Sequence, residues 1–535
     1  MTGYLTILRL LFRLDRIKLP MWLLGLGLLV GITPTSVRSL TETEAAARGV
    51  APEVILAEQG VLVETNAAMV AMSGPADALD TFGGRYAFEL SAFTFAIVGL
   101  MNLLLVIRHT RAEEEAGRVE LTRSLPVGPW ARIAAVMTEA AVANAAIGGV
   151  IFAAFVADGI DPARTLLFSS GLALSGLVFA AATLVIVQVF EFGKGAVGGA
   201  MSFLAFAYVI RAAGDVRGDW LVTLSPIGLA QHLNPYGDIR IWPLPVFAVL
   251  VPIGVVAAAA LSRRRDVGAG LIGQRPGPPR AADSLVSPLG LVWRLQRQTL
   301  WWWAIGIAGF GAVWGSMLSS LDEFVEDNET MADMLDAMGM SSDSIREGFA
   351  SMALTLLAMM AMAAALQVIV RIRTEEREGR AEAILGTAAS RRRWFGAFVV
   401  VAQVAAPMLL LAAVIGTYGA DAAVTGEFTG LADGVWGALA RVPAVVAVTG
   451  VAVLLTGWSG RTASAGWFAF GASAILFLFG ELLRLPMVVQ QLSPLPHVTH
   501  QPFDAQPWLS LVVLTTIGLA GTVAGVALFE RRDVG

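Results

Sequence analysis

The chain has 535 residues, 56% hydrophobic and 15% charged, with a formal net charge of −5 and a mean hydropathy of +0.69. Soluble domains carry about 25% charged residues, so a water-soluble enzyme, a disordered chain and a nucleic-acid-binding protein are excluded. Cysteine is absent, which removes disulfides, iron–sulfur clusters, thiolate zinc sites and cysteine nucleophiles.

The chain opens on 2–18, where Arg9, Arg13 and Arg16 recur at helical spacing against Leu8, Leu11, Phe12 and Leu14. Two readings stand: an amphipathic helix lying at the membrane interface, or simple positive flanking of the first span. A cleaved signal peptide fits poorly, because Thr33-Pro34-Thr35 follows the apolar run in place of a small-residue cleavage site. A membrane-crossing helix needs about 20 mostly apolar residues. Runs near that length cover 19–37, 90–107, 140–157, 165–190, 195–210 and 241–262, then 298–321, 348–370, 394–420, 442–460, 462–480 and 505–529, which makes twelve.

Arg and Lys collect in the loops of one side. They include Arg108, Arg111, Arg118, Arg123 and Arg132 after the second run, Arg263 to Arg265 after the sixth, and Arg371, Arg373, Arg377 and Arg380 after the eighth. The opposite loops are acidic, with Glu42, Glu44, Glu53 and Glu58 in one and Asp322, Glu323, Asp333 and Asp336 in another. The positive-inside rule therefore places both termini in the cytoplasm of a multi-pass plasma-membrane protein. The outer segment from Arg38 to Glu89 includes a helix-forming stretch, 50–72, stopped by Gly74-Pro75. With its counterpart 322–347 it reads as a small external cap.

Three signatures recur in collinear order. Arg13-Leu14-Asp15-Arg16 matches Arg294-Leu295-Gln296-Arg297. Glu113-Glu114-Glu115-Ala116-Gly117-Arg118-Val119-Glu120 matches Glu375-Glu376-Arg377-Glu378-Gly379-Arg380-Ala381-Glu382, and each is followed by the Trp that opens the next run, Trp130 or Trp394. Leu224-Ser225-Pro226 and Leu492-Ser493-Pro494 precede the last run of each half, and those runs end in Arg264-Arg265-Asp266-Val267-Gly268 and Arg531-Arg532-Asp533-Val534-Gly535. The expected fold is an all-α polytopic membrane protein of about twelve transmembrane helices in two parallel six-helix repeats, 1–267 and 284–535. A Pro/Gly/Arg linker, 268–283, joins them on the cytoplasmic side.

The Glu/Gly/Arg/Glu segments have a bland reading as solvated loops and a functional one as docking elements. The retained Gly and flanking Arg and Glu favour docking, with the Gly marking a helix end. Inside the runs few polar residues remain. Glu139, Gln188, Gln367 and Gln403 are the candidate pathway residues, because an intramembrane polar group is a functional-site hypothesis by default. A carboxylate reaching the headgroups is the competing reading for Glu139 and for Glu191. Trp301-Trp302-Trp303 reads as an interfacial belt, and Met352, Met359, Met360 and Met362 as packing. Glu481 and Arg484 suit snorkelling or pairing at the outer face. His497 and His500 form the one close His pair, a poor metal site, and no catalytic, metal or cofactor site is read in this chain.

Taken together, segments 113–130, 224–268, 375–394 and 492–535 resemble ABC-2-type exporter permeases. The fused arrangement is similar to the permeases of tetronasin-type (polyketide antibiotic) ABC exporters. The resemblance implies that Glu113, Glu114, Gly117, Arg118 and Glu120, with Glu375, Glu376, Gly379, Arg380 and Glu382, couple the chain to a separate ABC ATPase, in two copies, that binds ATP and Mg. Gly193-Lys194-Gly195 lacks the upstream Gly and following Ser or Thr of a phosphate-binding loop. The substrate implied is a hydrophobic or amphipathic small molecule, with antibiotics or drugs the nearest class. The competing reading is a major-facilitator-like secondary transporter driven by an ion gradient, which also has two parallel six-helix halves. It would carry a basic loop after the second span, where this chain has an acidic one. A polytopic membrane enzyme finds no catalytic cluster in the sequence.

Overall fold

A computed structural model of the chain describes residues 2–533 except 65–66, 124–126, 129, 267, 273–278, 327–341, 429, 461, 481–484 and 499–506. Arg275, Val267, Asp333, Asp336, Glu481, Arg484, His500, Val534 and Gly535 lie outside the described residues. The fold is all-α. Among the described residues the sole extended pairing is a single parallel bridge between Phe190 and Ile272. The chain forms two compact units, Met1–Gly277 and Pro278–Gly535.

In the first unit, helices α1 (Tyr4–Asp15), α2 (Lys18–Arg48), α3 (Pro52–Glu64), α4 (Ala67–Ser73) and α5 (Phe82–His109) follow in order. The short α6 (Arg111–Glu115) and α7 (Arg118–Arg123) lead to α8 (Ala131–Ala157), α9 (Pro162–Val189), α10 (Gly193–Arg217), α11 (Pro226–Gln231) and α12 (Pro243–Ser262). The second unit holds α13 (Pro288–Glu326), α14 (Ser342–Arg377), α15 (Arg380–Leu385), α16 (Arg391–Thr425), α17 (Leu431–Trp458), α18 (Gly466–Phe479), α19 (Met487–Gln490) and α20 (Trp508–Arg531). Among the described residues ten helices are long and apolar enough to cross a membrane. The seventh expected span lies in α13. The eleventh is the 14-residue α18, preceded by a 3-10 turn at Ala463–Ala465. At 1.5 Å per residue α18 reaches about 21 Å, short of the roughly 30 Å hydrocarbon core.

The two units repeat their neighbours. α9 packs on α5, α8 and α12 in the first, and α17 on α14, α16 and α20 in the second. Each has its own apolar core. In α1 the stripe Ile7, Leu11 and Asp15 is buried, while Leu5, Leu10 and Leu14 are exposed. Tyr4 and Thr138 share a hydroxyl hydrogen bond of 2.8 Å that seats α1 on α8. Trp301 and Trp302 face outward. In the stretch expected as a helix at 50–72, the described residues are helical over α3 and α4, on either side of 65–66.

Several helices run past the uncharged segments that announced them. α10 continues through buried Arg211, and α17 begins well before buried Arg441. The reason is local satisfaction of charge. Arg211 pairs with Asp215 one turn on and donates to the Ala71 carbonyl at 2.7 Å. Arg441 donates to Thr355 Oγ1 at 3.0 Å, to Ser351 Oγ at 2.7 Å and to the Gly437 carbonyl at 2.6 Å. At the far ends of α8 and α16, Asp158 binds Arg38 and Tyr86, and Asp421 binds Arg346.

Without a solvent-driven hydrophobic force between helices, close backbone approach at small residues drives packing in lipid. α17 and α20 meet this way. A β-carbon on Gly457 would strike the Gly525 carbonyl, and one on Gly450 the Gly518 carbonyl. Overpacking costs about 1–3 kcal/mol. Gly457→Ala is therefore expected to lower the thermal midpoint of the purified protein by several degrees. Gly419→Ala, where a β-carbon meets nothing within 4 Å, leaves it unchanged in the same scanning-fluorimetry assay.

Candidate functional site

The segment after α5 turns at Thr110 and again at Gly117, whose φ of +68° lies in the left-handed region. Gly379 occupies the matching turn at φ +70°. Only glycine adopts this conformation without strain, which explains its retention in both copies. Around each glycine the charged side chains divide into an inward and an outward set.

The inward set consists of carboxylates. Glu113 accepts two hydrogen bonds from Arg118, at 2.9 and 2.7 Å, and Glu375 accepts two from Arg380, at 2.6 and 3.0 Å. These forked pairs straddle the glycine at identical spacing. The Glu113 carboxylate raises the Arg118 guanidinium above its ordinary value, and Glu375 does the same to Arg380. The next carboxylate reaches farther. Arg265, just past α12, donates two hydrogen bonds to Glu114, both of 2.8 Å. Arg532, just past α20, bonds Glu376. Thus the second Arg of each Arg-Arg-Asp-Val-Gly signature grips the second Glu of each loop signature.

Supporting contacts fix these grips. Arg265 donates to Gln188 Oε1 at 2.7 Å and to the Ala269 carbonyl at 3.0 Å. Fully buried Arg111 bonds Glu114, the Phe190 carbonyl and the Ala269 carbonyl. Arg532 donates to the Thr456 carbonyl at 2.8 Å. The opening tryptophans join in: Arg263 lies 4.6 Å over the Trp130 ring, and buried Trp394 packs on Phe529 of α20. The copies differ at their third position. Glu115 accepts from the Gly193 N–H at 2.7 Å, at the head of α10, where a carboxylate satisfies an orphan amide. Arg377 is exposed at the matching place.

The outward set comprises Gly117, Arg118 and Glu120 in the first unit and Gly379, Arg380 and Glu382 in the second, all exposed. So the ten loop residues gather into two equivalent sites, each with an inner clasp and an exposed tip.

The four polar pathway candidates lie two in each unit, each with its own surroundings. Gln188 is taken up by Arg265 and by its own Leu184 carbonyl. Gln367 is exposed and accepts from Trp303 Nε1 at 2.8 Å. Gln403 approaches Thr522 Oγ1 at 3.5 Å. Glu139 is fully buried, 3.5 Å from His109 Nε2. Sequence reasoning missed a reciprocal amide pair between α5 and α8, in which Asn102 and Asn144 exchange bonds of 3.0 and 2.8 Å. It also missed an apolar cavity of about 650 Å3 in the second unit, lined by Val448, Val451, Leu476, Leu509, Leu514 and Ile517. The polar signal for the first was present in plain asparagines inside two apolar runs.

Long apolar helices and two clasped loops define a polytopic membrane protein. A family model described as "Multidrug efflux system permease Rv1217c, C-terminal domain" matches residues 285–530. The multidrug efflux system permease protein Rv1217c of Mycobacterium tuberculosis (strain ATCC 25618 / H37Rv) is 31% identical over 537 residues, covering 100% of this chain and 95% of the relative. The chain belongs to the family of multidrug efflux system permeases.

Removing one partner of a buried ion pair leaves an uncompensated charge and costs about 3–5 kcal/mol. Glu114→Gln and Arg265→Gln are each expected to destabilise the protein by that order. The double variant should lose much less than their sum in a detergent-denaturation cycle.

Proposed function

We propose that this chain is the transmembrane permease subunit of an ATP-driven ABC exporter for hydrophobic or amphipathic compounds, drugs and antibiotics among them. ATP and Mg bind separate ATPase subunits, two copies of which dock on the exposed loop tips from the cytoplasm, where both termini also lie. The observation that carries this reading is the repeated clasp. In each unit an exposed Gly-Arg-x-Glu tip is tied through one carboxylate to the end of the last span, so a push on the tip is delivered to a membrane helix. Nucleotide-driven closure of a partner would bias the permease between inward and outward states through such rigid links. The tetronasin-type likeness, the printed name of the mycobacterial relative and the drug-sized apolar cavity support the substrate class, since ligand pockets typically span about 300–1,000 Å3.

The test is drug efflux from cells that express the chain with a candidate ABC ATPase. Efflux should require the intact ATPase. Gly117→Val and Gly379→Val, each forcing a branched residue into the left-handed region, should cut it at least fivefold with membrane insertion unchanged. Efflux that persists with a hydrolysis-dead ATPase and stops on collapse of the proton gradient would support the secondary-transporter reading instead.

A further inference from the structure

We propose that Asp15, His109 and Glu139 form a binding site for one divalent transition-metal ion of the zinc class. The three residues come from different helices: the last residue of α1, the last of α5 and the third turn of α8. One ligand atom from each falls within 4.8 Å of the others. His109 Nε2 stands 2.7 Å from Asp15 Oδ2 and 3.5 Å from Glu139 Oε2. All three side chains are buried. Nothing in the sequence spacing marks them as a set, because α1, α5 and α8 bring them together only in the folded unit.

The second observation is what the protein leaves undone. Neither oxygen of Glu139 takes a hydrogen bond among the described residues, and His109 Nδ1 has none. A buried carboxylate without a donor is costly, and more so inside a span. One dication answers the two acids together. Zinc takes imidazole nitrogen at about 2.0–2.1 Å and carboxylate oxygen at about 2.0–2.2 Å, which sets neighbouring ligand atoms roughly 3–3.5 Å apart. The His109–Glu139 separation already matches, and the His109–Asp15 separation needs to open by a few tenths of an ångström.

The surrounding charges leave the ligand atoms available. Arg108 holds the other oxygen of Asp15, Arg132 donates to the His109 carbonyl at 3.2 Å, and Glu113 is committed to Arg118. A cavity of about 370 Å3, lined by Asp15, Lys18, Trp22 and Arg108 among others, reaches the cluster at Asp15 and gives an approach from that side. The second unit supplies a built-in contrast. Its matching positions are Gln296, Arg371 and Gln403, which offer no anionic ligand set. The ion therefore pins the N-terminal helix to the first unit alone.

The experiment uses the purified full-length permease, washed with chelator and titrated with Zn2+ or Co2+. About one equivalent per chain should bind, raise the thermal midpoint and give a cobalt absorption band typical of nitrogen and oxygen ligands. Glu139→Gln, which installs the residue of the second unit, and Asp15→Asn should each weaken binding at least tenfold. Both should keep the wild-type size-exclusion profile, which separates loss of the ion from loss of the fold. Equal binding by wild type and Glu139→Gln, or wild-type binding below about a tenth of an equivalent, overturns the assignment.

Discussion

The grip of Arg265 on Glu114, and of Arg532 on Glu376, is the constraint on which the rest of each unit depends. A guanidinium and a carboxylate shielded from water attract strongly, but only where their remaining donors and acceptors are also met. At Arg265 they are met by Gln188 and the Ala269 carbonyl; at Arg532 the Thr456 carbonyl takes one N–H, and Nε has no partner among the described residues. That requirement fixes where α9 ends, how the chain leaves α12, and which way the glycine turn faces. With the acidic side chains held inward, the tip is left with backbone, one Arg and one Glu for any partner to meet. The link also joins residues 151 and 156 positions apart in the two units, so the loop and the last span behave as one body.

The apolar runs placed the helices well, because in lipid every backbone group must be satisfied within the segment and helices follow directly from hydropathy. Their lengths were read short wherever a charge interrupted the run. Arg211, Arg441 and Asp421 each looked like a boundary and each proved to lie inside a helix with its own acceptors or counter-charge. The repeated signatures were legible as repeats, but the contact between them was not. Glu114 and Arg265 are 151 residues apart, and no local periodicity connects a loop to the end of a helix four spans later. Glu139 stood out as a carboxylate in an apolar run, while its neighbours Asp15 and His109 looked like ordinary members of charged flanks.

The two units share an outline and differ in their interiors. The offset that relates Glu113 to Glu375 carries Asn102 to Ala364, and the one that relates Trp130 to Trp394 carries Asn144 to Met408. The amide pair of the first unit, packed tightly against Gly176, is thus not repeated in the second, where Ala364 is buried and Met408 is exposed. Buried amides specify a register because the alternative is an unpaired polar group, whereas apolar contacts tolerate sliding. The clasp is common to both copies, whereas the buried polar contacts differ: an amide pair between α5 and α8 in the first, and Arg441 with Ser351 and Thr355 between α17 and α14 in the second.

Arg441 sets an order of events in biosynthesis. An arginine near the middle of a span costs about 2.5–3.5 kcal/mol to place in lipid, so α17 is a poor candidate for release on its own. Its acceptors Ser351 and Thr355 sit on α14, which the ribosome completes first. That cost is offset only once α14 and α17 lie side by side, so their pairing is a step that follows the synthesis of α17.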